Sequence, residues 1–165
     1  MPKSMTNLED AFLDELKDLL HAEKQITKAL PRMAKKAENP ELRKAFEEHL
    51  KVTEQQIERL EQVFELLGQT ARAKKCEGME GIIEEGKEVM QEAEEDVVDA
   101  VLIAAAQKVE HYEIASYGTV CTWAEELDCD KKVVDLLKQT LSEEKETDER
   151  LTKIAKSRAN ERAMV

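Results

Sequence analysis

The chain has 165 residues, 37 of them acidic and 25 basic, for a formal charge of −12 at neutral pH. That length suits one domain, and 41% apolar side chains can build a core, while 4% aromatics, five glycines and three prolines disfavour β-sandwiches, barrels and glycine-rich nucleotide folds. So acidic a surface argues against a generic nucleic-acid or anionic-membrane partner, because phosphate binding needs positive potential.

Helix signals run from end to end. A first helix is predicted over residues 7–38, capped at Thr6 or Asn7, with acidic residues at the positive end of its dipole. Leu8, Phe12, Leu16, Leu19, Ala22, Ile26, Leu30 and Met33 form one stripe at three- and four-residue steps. The stripe continues past Pro31, where a kink is expected. Asn39-Pro40 breaks the chain, and a second helix over residues 41–67 carries Leu42, Phe46, Leu50, Ile57, Leu60, Phe64 and Leu67 before Gly68 closes it.

A polar, basic stretch (69–75) leads into a weaker amphipathic segment over residues 78–91. Gly78, Gly81 and Gly86 each lower its helicity by about 1 kcal/mol relative to alanine, so it reads as a connecting helix outside the core. The most apolar segment, residues 97–127, follows through Val98, Leu102, Ala105, Val109 and Val120. After Asp128-Cys129-Asp130 a last helix runs to about Ser157, with Val134, Leu137, Leu141, Leu151 and Ile154 facing in. Residues 158–165 show no periodicity and are expected to fray.

Two short links therefore flank a long middle connection over residues 68–94, enough chain to travel the length of a bundle. That is the topology of an all-α, ferritin-like four-helix bundle whose long crossover contains a short fifth helix. One domain is expected over residues 1–165, its core at about 6–157. The longest apolar run, residues 100–106, is far too short to span a bilayer, and the N-terminus turns acidic where a signal peptide would be apolar. With three cysteines, Cys76, Cys121 and Cys129, and no CxxC pair, the expectation is a cytoplasmic protein with ordinary thiols.

Most carboxylates are the wet faces of helices; the informative ones interrupt an apolar stripe. Glu23 lies in the register of Leu19, Ile26 and Leu30; Glu113 in that of Val109 and Val120, with Glu110 on its flank. Glu144 and Asp148 lie in the register of Leu137, Leu141 and Leu151. Ionised carboxylates converging in a dry core cannot all keep their charge without cations, so a metal ion or a pair of them is the economical answer. A di-metal bundle takes one Glu from each of two helices and Glu-x-x-His from each of the others. The first and third helices comply through Glu23 and Glu110/Glu113. The fourth offers Glu144 with Thr147 in place of His, and Asp148 as a substitute acid. The second offers His49, either a core histidine or a ligand, together with Thr53 and Gln56. Thr53, Gln56 and Thr147 are expected to support ligand carboxylates by hydrogen bonding.

Elsewhere the expectations are blander. His21 reads as surface, His111 as a flank or subunit contact, Cys76 as an exposed crossover thiol and Cys121 as a small hydrophobe. Tyr112 and Tyr117 either pack or line the site, and Trp123 reads as core or dimer contact.

The stretches Leu19-Leu-His-Ala-Glu-Lys-Gln-Ile-Thr-Lys-Ala-Leu-Pro31, Lys75-Cys-Glu-Gly-Met-Glu-Gly-Ile-Ile-Glu-Glu85, Ala104-Ala-Ala-Gln-Lys-Val-Glu-His-Tyr-Glu-Ile-Ala-Ser-Tyr-Gly118 and Leu141-Ser-Glu-Glu-Lys-Glu-Thr-Asp148 resemble the bacterial YciF/YciE stress-protein family. The resemblance covers residues 6–157. It implies a rubrerythrin- or ferritin-like bundle, commonly a homodimer, with a metal site and a link to stress responses. Two functions then compete. In one, Glu23, Glu110, Glu113 and Glu144 hold iron or manganese for Fe(II) oxidation or peroxide consumption. In the other, the site has degenerated in a non-enzymatic stress or interaction protein.

Overall fold

The computed structural model describes residues 4–164. Its helices are α1 Leu8–Lys36, α2 Pro40–Leu66, α3 Glu77–Glu92, α4 Glu95–Glu126 and α5 Lys131–Ile154, then a π-helical turn, Ala155–Ala159, and a last turn α6 Asn160–Arg162. No strand occurs among the described residues.

Local chemistry sets the ends. Asn7 Oδ1 accepts from the Asp10 N–H at 2.8 Å, and Asn39 Oδ1 accepts from Glu41 and Leu42, with Pro40 in the first turn of α2. Asp130 caps α5 by accepting from Lys132. Gly68 (φ 65°) turns the chain out of α2, and Asp128 (φ 48°) takes the same left-handed conformation after α4. Pro31 lies inside α1, which continues through it.

α1 and α2 form one antiparallel hairpin, α4 and α5 the other; α1 lies beside α4 and α2 beside α5. α3 runs along α4 and α1, carrying the chain from the end of α2 to the start of α4. This is the all-α ferritin-like topology expected from the two short links and the long crossover. Asp99 fastens the hairpins together: buried in α4, it accepts from the backbone N–H groups of Glu38 and Asn39 at 2.9 Å each.

The buried side chains fall into two apolar clusters stacked along the bundle. One, near the α1–α2 link, includes Ile26, Leu30, Phe46, Leu102 and Ile154. The other, near the α4–α5 link, includes Phe12, Leu16, Phe64, Val120 and Leu137. Between them lies a buried polar layer.

Three expectations need correction. α3 does enter the core, since Met79 is fully buried. The glycines that weaken its helicity let it dock: a Cβ at Gly78 would stand 2.8 Å from Tyr112 Cε2, and one at Gly86 3.3 Å from Ala105 Cβ. Second, the chain stays helical beyond Ser157. The π-helical turn carries the buried face onward, with Ala155 and Ala159 both buried four and eight residues beyond Leu151. The Arg162 guanidinium then donates to Asp96 at 2.9 Å. Third, Cys76 is not exposed. Its buried Sγ caps α3 by accepting from the Met79 N–H, and His21, expected at the surface, is half-buried and accepts the Cys76 N–H at 3.0 Å.

Candidate metal centre

The polar layer is built from all four long helices at one level. α1 supplies Glu23, α2 supplies His49, Thr53 and Gln56, α4 supplies Glu110 and Glu113, and α5 supplies Glu144; all are buried. Each interrupts an otherwise apolar face, and the antiparallel packing places those interruptions opposite one another.

Two triads result, Glu23–Glu113–Glu144 and His49–Glu110–Glu144, and within each the donor atoms lie within 4.8 Å of one another. Glu144 belongs to both. His49 Nε2 stands 2.9 Å from Glu110 Oε1 without the alignment of a hydrogen bond. Two donors at right angles on one ion, with bonds of ~2.1 Å, stand about 3.0 Å apart. Buried polar atoms that lack hydrogen-bond partners gather in this layer: Glu23 Oε2, Gln56 Oε1, Glu110 Oε2, both Glu113 oxygens and Glu144 Oε2. Each such atom is costly unless something else satisfies it. The donor set, carboxylates with one imidazole, is one that could hold a metal ion.

Neighbouring side chains orient the acids. Tyr117 donates its hydroxyl to Glu23 Oε1 at 2.6 Å. Gln56 Nε2 donates to Glu144 Oε1 and, at 3.1 Å, to Glu143 Oε2. Arg59 grips Glu143 through two bonds of 2.6 Å and reaches Thr140 Oγ1 at 3.0 Å. Thr147 Oγ1 donates to the Glu143 carbonyl at 2.9 Å and stands 3.5 Å from His49 Nδ1. With its proton spent on that carbonyl, the hydroxyl favours the tautomer that leaves the His49 Nε2 lone pair aimed into the layer.

Thr53 departs from its expected role, since its hydroxyl donates to the His49 carbonyl of its own helix at 2.8 Å rather than to a carboxylate. Asp148 stands at the edge. Its Oδ2 pairs with the exposed His111 Nε2 at 3.2 Å, while Oδ1 is buried without a partner. Tyr112 lies away from the layer, donating to Asp18 at 2.8 Å and touching Cys76 Sγ at 3.1 Å. Cys121 packs in the lower apolar cluster, with Trp123 half-buried against it.

Burial sets the protonation pattern. It raises Glu23 to about 8, with the charge of Glu144 adding to the rise. Burial and the same charge push Glu110 and Glu113 well above the usual carboxylate range. Burial also acts upward on Glu144 but is outweighed: the neighbouring Glu110 and Glu113 carboxyls, the facing His49 and the hydrogen bond from Gln56 hold it low. Burial thus favours the neutral form of Glu23, Glu110 and Glu113, while the charged form is favoured at Glu144. Burial lowers His49, favouring the neutral, ligating imidazole.

Nothing in their spacing marks Glu143, Arg59 or Asp99 as functional. Glu143 looks like one more acid in an acidic run, and only the cross-helix partners of Arg59 and Asp99 reveal what they hold.

Fold and layer together define an all-α bundle with a buried carboxylate–histidine cluster. The family described as a domain of unknown function, DUF892, matches residues 7–164. Protein YciF of Escherichia coli (strain K12) is 49% identical over 162 residues, covering 97% of each chain. The crystal structure of that stress protein superposes with a TM-score of 0.90 over 94% of this chain and 99% of its own. YcfI of Rhodopseudomonas palustris, described as a candidate structural protein, is 44% identical with a TM-score of 0.89, covering 92% of this chain and 97% of its own. A protein from Xanthomonas campestris at 23% identity shares the fold, with a TM-score of 0.76 over 96% of this chain and 100% of its own. The chain belongs to the YciF (DUF892) family.

Proposed function

We propose that this protein holds a pair of iron or manganese ions in the polar layer, one at Glu23, Glu113 and Glu144, the other at His49, Glu110 and Glu144. The observation that carries this reading is the sharing of Glu144 by two buried triads whose remaining oxygens have no partner. Asp148, with Oδ1 buried and unsatisfied beside Glu110, is the further acid on the His49 side. Its name as a stress protein makes the E. coli relative compatible with such a role. When bound, such a pair supplies one-electron steps suited to oxidising Fe(II) or consuming peroxide. The chain's own work is to keep the site dry, to fix Glu144 through Gln56, Glu143 and Arg59, and to give up the protons of Glu110 and Glu113 as cations enter. Among the described residues no helix is long and apolar enough to cross a membrane, and three free thiols suit a reducing cytoplasm.

Anomalous scattering at the iron and manganese edges, on protein grown in supplemented medium, tests the reading. Signal is expected between the two triads in the wild type and not in the Glu23→Ala/Glu144→Ala variant. Equal metal content in the two proteins would sink it. A second reading, an inert stress or interaction protein, is favoured by one observation: α2 brings no carboxylate to the layer, only His49, Thr53 and Gln56. An ion-specific rise in melting temperature separates the two, because a cation bound only by the native state stabilises by RT ln(1 + [L]/Kd).

A further inference from the structure

Beside the polar layer the bundle is not close-packed. A cavity of about 210 Å³ lies between the long helices and α3. Its walls are apolar, including Ile26 and Met33 of α1, Phe46 of α2, Ile83 and Met90 of α3, and Val109 of α4. Its inner end is lined by His49 and Glu110, both nearly inaccessible. Its outer end is charged. Arg32 is exposed and Lys87 half-exposed, and Arg150 pairs with Glu48 at 2.6 Å. Small residues keep the space open, since Ala29, Ala45 and Ala106 all line it where larger side chains would fill it.

Native interiors are close-packed, and an apolar void costs stability in proportion to its volume. Apolar walls also keep water from occupying it favourably. A void of this size, ending on two of the candidate ligands, is shaped for a guest. We infer that it binds a neutral alkyl compound of about eight carbons with one small hydrogen-bonding head, an alcohol or an organic hydroperoxide, the chain along the apolar walls and the head at His49 and Glu110. The length follows by proportion from a cavity of ~150 Å³ that holds the six carbons of benzene. The neutral head follows from burial, because a charged head would leave water for a space with apolar walls whose inner residues are nearly inaccessible. The inference rests on the metal-centre reading for what the head would meet chemically. Binding itself needs only the cavity.

The probes are unreactive primary alcohols from butanol to decanol, titrated into the full-length protein by calorimetry. Affinity is expected to rise about fourfold per methylene, the transfer free energy of one CH₂, and to level off near octanol as the cavity fills. Octane, without the head, and octanoate, with a charged one, are each expected to bind roughly tenfold or more weakly than octanol. Ala29→Phe, which puts a ring into the cavity from a half-buried position, should abolish octanol binding and leave the metal content unchanged. Glu144→Ala, which lies outside the cavity wall, should do the reverse. Affinity that climbs past decanol without a break, or octanol bound equally by Ala29→Phe, overturns the inference. Should Ala29→Phe not fold, the break in the wild-type series still decides. Absent octanol binding in protein that keeps its metal refutes the guest alone; octanol binding in protein with no specific metal refutes the centre alone.

Discussion

Glu113 condenses the chemistry of this protein into one side chain. Both its oxygens are buried and without partners, and burial and the charge of Glu144 push its carboxyl well above the usual carboxylate range. Glu23, Glu110 and Glu113 therefore hold protons in the metal-free fold to higher pH than in the unfolded chain, which releases them near the ordinary value of 4.5. Above that pH the unfolded state binds fewer protons, so these groups stabilise the metal-free protein fully below about 4.5, and that stabilisation is lost as pH rises through about 8, the value for Glu23. Urea melts of chelated protein across this window should show stability falling with pH. Metal affinity should rise over the same window, with proton release measurable by calorimetry in two buffers. Replacing Glu113 with Gln removes the cost of keeping an acid neutral in the layer at a pH where the unfolded chain ionises it. At pH 8 the chelated Glu113→Gln variant is expected to be ~1–3 kcal/mol more stable than wild type, and its iron- or manganese-induced rise in melting temperature should disappear.

At the scale of elements, most of the bundle was readable because an amphipathic helix writes its buried face into the sequence at a 3.6-residue period. The stripe from Leu8 to Met33 and the Asn39-Pro40 break gave α1 and the start of α2 almost to the residue. What period cannot show is docking between elements. Gly78 and Gly86 read as helix-weakening, yet Tyr112 and Ala105 occupy the space a Cβ would need. Cys76 and His21 looked unremarkable until the crossover folded back and joined them. Asp99 is the sharpest case, one more acid by sequence and by structure the clasp on the α1–α2 link. Asp99→Ala leaves the Glu38 and Asn39 N–H groups without their acceptor. The expected loss is ~2–4 kcal/mol in chemical denaturation, with little effect on metal content, since Asp99 stands well along α4 from Glu110.

For the whole molecule, the layered arrangement separates stability from function. The two apolar clusters hold the bundle at both ends, and the polar layer between them is the part a cation would reinforce. Chelation should accordingly leave helical circular dichroism at 25 °C unchanged. It should lower the melting temperature by the equivalent of ~3–4 kcal/mol at metal concentrations of 100 to 1,000 times Kd. Collapse of helicity on chelation would show that the clusters cannot stand without the ion.

The amino-acid order alone determined the helices, their sequence along the chain and which acids fall on apolar faces, because each is a matter of local spacing. That Glu23, Glu110, Glu113 and Glu144 meet at one level was an inference from register. Which pairs share Glu144, that His49 faces Glu110, and that Thr53 turns back on its own helix were decided by tertiary packing. Those facts depend on the rotation and axial offset of whole helices, which are fixed by the fit of side chains distant in sequence. The cavity lies at that same level, since a void belongs to no residue and exists only between helices that have already come together.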